Sequence, residues 1–386
     1  MKIRLSMPYT LRSLRSQKFI SIVMLLCMIL STVLCLYLDT ILLKASQQLE
    51  SLHFLEVKSP VNPLDFIEQI YVLSLPERRS RREAMEKLRL ALGLNWSYVD
   101  AFPADVPLVE RIMNLVSFVR DNYSMFFKSE HRNTSEFLNN RTVSLFWPKN
   151  IDELAISFQG LDIWSSDLNI SKVPFGNSSI TPSPPLACAT KDYRIATLSS
   201  ALPEHLVLTP ARVACWHSHL YVIHKIANSL KSDNPGAALI LEDDVDMEKD
   251  IVKQLRSLWP LLPPRWDIIF LGHCWSDERK GRLLMQNTSI EVPPYPQLYT
   301  SSSPKCTHAY ALSRIGARRL LLHLRYPPFA YSRAIDQAFS WLIESRRLNS
   351  FSIVPSLVVQ RKIEKSDVVP GFGSKWKDRL INGIFG

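Results

Sequence analysis

Near-continuous apolar runs that alternate with amphipathic helices leave this chain few architectures to adopt. QIYVLSL (Gln69–Leu75), AALIL (Ala237–Leu241), WDIIFLG (Trp266–Gly272) and THAYALS (Thr307–Ser313) have the character of strands covered on both faces. WSYVDAF (Trp96–Phe102) and FSIVPSLVVQ (Phe351–Gln360) predict two more strands. Between them, PERRSRREAMEKLRLAL places Met85, Leu88 and Leu92 on one helical face. In TPARVACWHSHLYVIHKIANSL, residues Val213, Trp216, Leu220, Ile223, Ala227 and Leu230 recur at spacings of three and four. Further helices are expected near Glu248–Leu258, over RIGARRLLLHL, and over QAFSWLIES. The alternation predicts an α/β sandwich around a mostly parallel mixed sheet.

Charge placement separates the N-terminal region from the rest. The chain of 386 residues carries a net charge of +10. Lys2, Arg4, Arg12, Arg15 and Lys18 precede residue 19 with no acidic neighbour; without those five, 41 basic residues face 36 acidic ones. That is an ordinary surface, and no nucleic-acid partner is expected. The run FISIVMLLCMILSTVLCLYL, Phe19–Leu38, has no charge and as a helix reaches about 30 Å, enough to cross a membrane. With its basic flank first, it predicts a single-pass signal anchor: residues 1–18 cytosolic, 19–38 transmembrane, 39–66 a stem and 67–386 lumenal. Sequons at Asn95, Asn122, Asn133, Asn140, Asn169, Asn177 and Asn287 fit an exported domain. Five of these fall in residues 103–205, a Ser-, Asn- and Pro-rich insertion with a helix expected around Leu108–Arg120. Cys188, Cys215, Cys274 and Cys306 lie beyond the span, enough for up to two disulfides in an oxidising lumen.

The run at Ala237–Leu241 drives directly into Glu242, Asp243, Asp244 and Asp246. Acidic residues after a strand are ordinary in a solvated turn. They are also what a hard divalent cation requires, and ligands of open α/β sheets bind at carboxyl ends of strands. His217, His219 and His224 match no zinc spacing and belong to the packed helix.

Six pieces in order, IYVLSLPERRSRR, YVDAF, LTPARVACWHSHL, ALILEDDVD, WDIIFLGHC and CTHAYALSRIGARRLL, make the chain resemble glycosyltransferase family 25, the lipopolysaccharide and procollagen galactosyltransferase-like enzymes, and its fungal-type members most. The resemblance runs over residues 69–325 and skips the insertion. It implies a GT-A-like nucleotide-sugar-binding fold and inverting, metal-assisted transfer of a sugar, galactose above all, from a UDP donor to a hydroxyl of a glycan or glycoprotein. It implies Mn²⁺ or another divalent cation, with Glu242, Asp244 and His308 as metal ligands. Arg78, Arg81, Arg82, Asp100, His219, Glu242 and Asp243 are implied at the donor. Asp244 and Asp336 are implied in catalysis, Asp336 as the base for the acceptor hydroxyl. Asp267 is a further match that braces the sheet in the alternative. A Cys274–Cys306 disulfide is implied, with a zinc site including His273 and His308 as the alternative. Ser80 and Arg212 depart from the family pattern, which has Asp and Glu there. These departures keep a second expectation alive, a membrane-anchored lumenal binding protein without turnover; a metal-dependent hydrolase is a third. The location implied is the Golgi or endoplasmic reticulum membrane.

Overall fold

The computed structural model describes residues 63–121, 151–156, 185–190, 194–195, 198–228, 236–284, 296–326, 329–362, 364–368 and 378–386. The compact unit spans Asn62–Gly386. Among the described residues no helix is long and apolar enough to cross a membrane, and Phe19–Leu38 lies outside them.

The fold is α/β. Strand β1 (Ile67–Ser74) leads into α1 (Arg79–Leu92), β2 (Ser97–Asp100) and α2 (Pro107–Asp121). After α3 (Ile151–Ile156) come four two-residue strands: β3 (Leu186–Ala187), β4 (Ala189–Thr190), β5 (Arg194–Ile195) and β6 (Val207–Leu208). Then follow α4 (Pro210–Ala227), β7 (Ala237–Glu242), β8 (Val245–Met247), α5 (Ile251–Leu258) and β9 (Ile268–Phe270). The chain continues with β10 (Leu283–Leu284), β11 (Gln297–Thr300), β12 (Ala309–Ser313), α6 (Arg314–Arg325), α7 (Ile335–Glu344), β13 (Ser350–Val354) and β14 (Val358–Gln360).

Eight strands form one sheet in the order β10-β11-β13-β9-β12-β7-β1-β2. Residues alternate between its faces, as the strand period requires. Along β7, Ala238 and Ile240 join a core with Trp216, Leu320, Leu321 and Phe339 from α4, α6 and α7. Ala237, Leu239 and Leu241 join the opposite core, with Met85, Leu88 and Leu255 from α1 and α5. Local signals start the helices: Thr209 caps α4 by accepting from the Arg212 N–H with Pro210 next, and Ser313 caps α6 by accepting from the Gly316 N–H at 2.9 Å.

Three expectations are corrected. The sheet is mixed rather than mostly parallel: β2, β1 and β7 are parallel neighbours and so are β9 and β13, but β12 runs antiparallel to both β7 and β9. Apolar character reports burial on both faces, and strand direction is set by the connections. The compact unit takes in residues before 67, where its start was expected, because Leu64 is fully buried and Phe66 stacks on Trp259 with ring centroids 4.5 Å apart. The late run at 351–360 is two strands interrupted around Pro355, whose missing N–H cannot serve a ladder; β14 leaves the sheet to pair with β8.

The described parts of the 103–205 insertion are built into the domain. Val109, Ile112, Met113 and Val116 of α2 form a third core with Cys188, Leu208, Val213 and Ala214. Arg120 donates to the carbonyls of Ala187 and Ser332 at 2.8 and 3.2 Å. Five sequon asparagines (122, 133, 140, 169 and 177) lie outside the described residues, as does Asn287.

Candidate functional site

The carboxyl ends of β1 and β7 open into a cleft of about 790 Å³. Its walls come from the loop after β2, the N-terminal half of α4, the stretch before β12, the start of α7 and residues 366–368. Of the residues singled out in the sequence, Arg81, His219, Glu242, Asp243, Asp244, His308 and Asp336 all line it. The fold thus gathers into one cleft side chains that lie as much as 255 positions apart along the chain.

Glu242, at the end of β7, is tied down. Its Oε1 is 3.2 Å from Nε2 of His219 and accepts from the Thr307 hydroxyl at 2.7 Å. The other ring nitrogen of His219 lies 2.9 Å from the buried Tyr310 hydroxyl. Burial favours the neutral acid, but the hydrogen bonds from His219 and Thr307 outweigh it and hold the Glu242 carboxyl below its ordinary range. Only Oε2 remains to serve a ligand.

Asp244 is the unsettled member. Its Oδ2 accepts from Gln360 Nε2 at 3.0 Å, whereas its Oδ1 is buried without a hydrogen-bond partner. Burial, then the charges of Glu242 and Asp243, push its pKa up to about 7. Asp243 is raised too, chiefly by burial, against Ser74 and Arg81. Arg81 supplies the compensating charge. Its Nη1 is 3.1 Å from Asp243, 3.9 Å from Asp244 and 3.4 Å from Asp367, and its Nε is 3.3 Å from Glu364.

His308 presents a second orphaned atom. Its Nε2 is 3.2 Å from the Val358 carbonyl, which places the ring proton there and leaves Nδ1 a bare acceptor, buried without a partner. Burial lowers its pKa, so the ring is neutral and fit to ligate. Gly272 permits this approach, since a Cβ there would overlap His308 Nε2 and the Val358 carbonyl. Carboxylate oxygens suit Mg²⁺, Ca²⁺ and Mn²⁺, and an imidazole nitrogen suits softer transition metals. Among the described residues no group of three His, Cys, Asp or Glu side chains is arranged to hold an ion by itself.

Asp336 sits in the first turn of α7, where its Oδ1 accepts from the Gln337 N–H at 2.8 Å and its Oδ2 from the Cys306 N–H at 3.3 Å. Cys306 is disulfide-bonded to Cys274, which removes both sulfurs from any zinc site with His273 and His308. Cys188 and Cys215 are free thiols.

Several singled-out residues fall outside the cleft lining. Arg82 bridges to Asp100 at 2.6 Å, and Asp100, with its side chain 68% exposed, ends an edge strand. Arg78 pairs with Asp367. Asp267 is buried, bound to Arg319 and to the Asn349 N–H, and braces β9. His217 binds the Tyr331 hydroxyl at 2.7 Å, and His224 lies against Asn228, so the three helix histidines do not converge. The departures at Ser80 and Arg212 have structural partners: Ser80 donates to Glu364 at 2.8 Å, and buried Arg212 donates to the carbonyls of Glu204 and Val207.

Asp246 lies outside the cleft lining. Its Oδ1 accepts from the backbone N–H groups of Met247 and Ile384, and Phe385 reaches its Oδ2 at 3.2 Å. Glu248 likewise accepts from Ile381 and Asn382. The acidic stretch therefore splits: Glu242, Asp243 and Asp244 face the cleft, while Asp246 and Glu248 clamp residues 381–385. Ser74, Thr307, Gln360, Phe102 and Trp275, which also line the cleft, had no local pattern to mark them.

No protein-family model matches the chain, and no curated protein matches it.

Proposed function

We propose that this chain is a metal-assisted, inverting glycosyltransferase that uses a UDP-sugar, with a GT-A-like fold of family 25 type. The observation that carries this reading is Asp244, whose buried, unpartnered Oδ1 sits among Asp243, Glu242 and Arg81 at a strand end that opens into a large cleft. Crowded carboxylates of this kind are stable when a cation shares them.

The elements lie in an order that suits such a substrate. Phe102 and Ser74 follow or end β2 and β1, where a nucleotide has room beside the sheet edge. Asp243, Asp244 and Arg81 stand at the next position, at the diphosphate. Thr307 and Asp336 follow toward β12 and α7, on the side proposed for the transferred sugar. Asp244 and His308 would hold a divalent ion, which when bound would supply charge neutralisation for the leaving diphosphate. Glu242 is kept ionised by His219 and Thr307 and would add its negative charge to the field around a bound cation. Asp336 takes the proton from the acceptor hydroxyl, whose oxygen bonds to the anomeric carbon as the bond to UDP breaks on the opposite face. Galactose as the sugar, and a lumenal Golgi or endoplasmic reticulum location, rest on the family resemblance and the uncharged N-terminal run.

The binding-protein reading has one observation in its favour. Arg81 is already engaged by Asp243, Glu364 and Asp367, so phosphate reaches it only if residues 364–367 give way. The full chain in detergent, incubated with a panel of nucleotide sugars with and without Mn²⁺, separates the two. Metal-dependent UDP release from one sugar, lost in Asp244→Ala, is expected. Absence of any nucleotide-sugar binding by calorimetry would sink the transferase.

A further inference from the structure

Residues 366–368 wall one side of the cleft, and the strap they belong to, residues 364–368, lays two carboxylates on the turn that opens α1. Each carboxylate bridges two residues of that turn. Glu364 accepts from the Ser80 hydroxyl at 2.8 Å through Oε1 and from Arg81 Nε at 3.3 Å through Oε2. Asp367 meets Arg78 through Oδ1 and Arg81 Nη1, 3.4 Å away, through Oδ2. The Lys365 carbonyl, between them in sequence, accepts from Arg81 Nη2 at 2.8 Å. Two anionic groups thus share one guanidinium, as the two phosphoryl groups of a diphosphate would.

The strap can leave this turn without unfolding the core, because its flanks are pinned elsewhere. On one side Gln360 Nε2 and the Arg361 N–H donate to Asp244 at 3.0 and 2.6 Å. On the other, Asp246 and Glu248 hold the backbone of residues 381–385. The contacts on the turn are open to water: the side chains of Glu364 and Asp367 are 38% and 25% exposed. Ion pairs within reach of water contribute little and are weakened by salt, so a more highly charged ligand displaces them. Arg81 stays in place when they go, since its Nη1 is also 3.1 Å from Asp243.

We propose that Glu364 and Asp367 are an internal competitor for the diphosphate position, displaced when a ligand binds, and that this competition selects diphosphates over monophosphates. The proposal rests on the reading of Arg81 as the diphosphate contact. A diphosphate has enough oxygens to take over all four positions that the two carboxylates hold on Arg78, Ser80 and Arg81. A single phosphate group replaces one carboxylate and is repelled by the one that stays. The strap therefore raises the charge a ligand must carry. Specificity here comes from a built-in rival as well as from contacts to the ligand.

The test compares the full chain with the double variant Glu364→Gln, Asp367→Asn, measuring UDP and UMP affinity in Mn²⁺ by calorimetry. The double variant should bind UDP about tenfold or more tighter than wild type. UMP should gain more than UDP, so the preference for the diphosphate narrows. A second measurement needs no variant. Lys365 is exposed on the strap, and UDP should speed cleavage of wild type after Lys365 by a lysine-specific protease. Wild type that binds UDP as tightly as the double variant or more tightly, or an equal preference for UDP over UMP in the two proteins, would overturn the proposal. So would protection of Lys365 by UDP, which would make the strap a cover that closes on the ligand. Those results leave the donor site standing. Absence of UDP binding in both proteins would instead remove the donor site, and the competitor with it.

Discussion

His219 reaches across from α4 to place Nε2 3.2 Å from Oε1 of Glu242, joining the helix layer to the end of the central strand inside the cleft. Thr307 donates to the same oxygen. Thr307→Val keeps the shape and removes one donor to a charged group, so a stability loss of about 1.5–3 kcal/mol is expected. His219→Ala should cost more, because Tyr310 also loses its partner. Urea unfolding measures both, and wild-type stability in Thr307→Val would show the contact to be idle.

The clamp on residues 381–385 makes Asp246 a stability residue. Removing its carboxylate strands several backbone N–H groups, each worth about 1–3 kcal/mol if left unpaired in the interior. Asp246→Ala should therefore destabilise the fold by roughly 3 kcal/mol and expose the chain to trypsin at Arg379. An unchanged cleavage pattern would contradict this role.

Residues 274 and 306 close a loop with a sequence separation of 32. Loop-closure entropy predicts that Cys274→Ser with Cys306→Ser loses about 3–4 kcal/mol. A thermal melt with and without reductant tests it: reduction should lower the Tm of wild type and leave the double variant unmoved.

Acid sensitivity should arise partly from His323, far from the cleft. The ring is buried in α6, and burial lowers its pKa to about 3. The unfolded chain has an ordinary value near 6.5, so below that pH it binds a proton the folded protein refuses. Stability contributed by the neutral ring is full above about pH 6.5 and declines steadily toward pH 3, by about 2 kcal/mol between pH 7 and 5. His323→Gln should flatten that slope in urea titrations at the two pH values. An unaltered slope would assign the acid sensitivity to another group.

Much of this was legible in the sequence because burial and period are local signals. The strand at Ala237–Glu242 and the helix at Pro210–Ala227 follow from apolar runs and a three-to-four spacing. The direction of β12 was not legible. It depends on the excursion between Cys274 and Cys306, which brings the chain back beside β9 in the opposite sense. In the cleft, charged residues at strand ends could be nominated one by one. Their neutral partners could not: Thr307, Gln360 and Tyr310 have meaning only through contacts across long sequence separations. Arg82 and Asp100 pair with each other at the sheet edge, a contact across 18 positions that the Arg-rich turn alone does not announce.

The division of the acidic stretch has a consequence for how this gene can change. Asp244, Asp246 and Glu248 serve two structures at a spacing of two, with Val245 and Met247 packed between them in the core. Deleting or inserting one residue there would turn each carboxylate into the apolar core and set apolar side chains against the cleft and the backbone N–H groups of residues 381–385. Turns after strands usually absorb such length changes. This one cannot, so lineages carrying the fold should vary in length elsewhere and keep this count fixed.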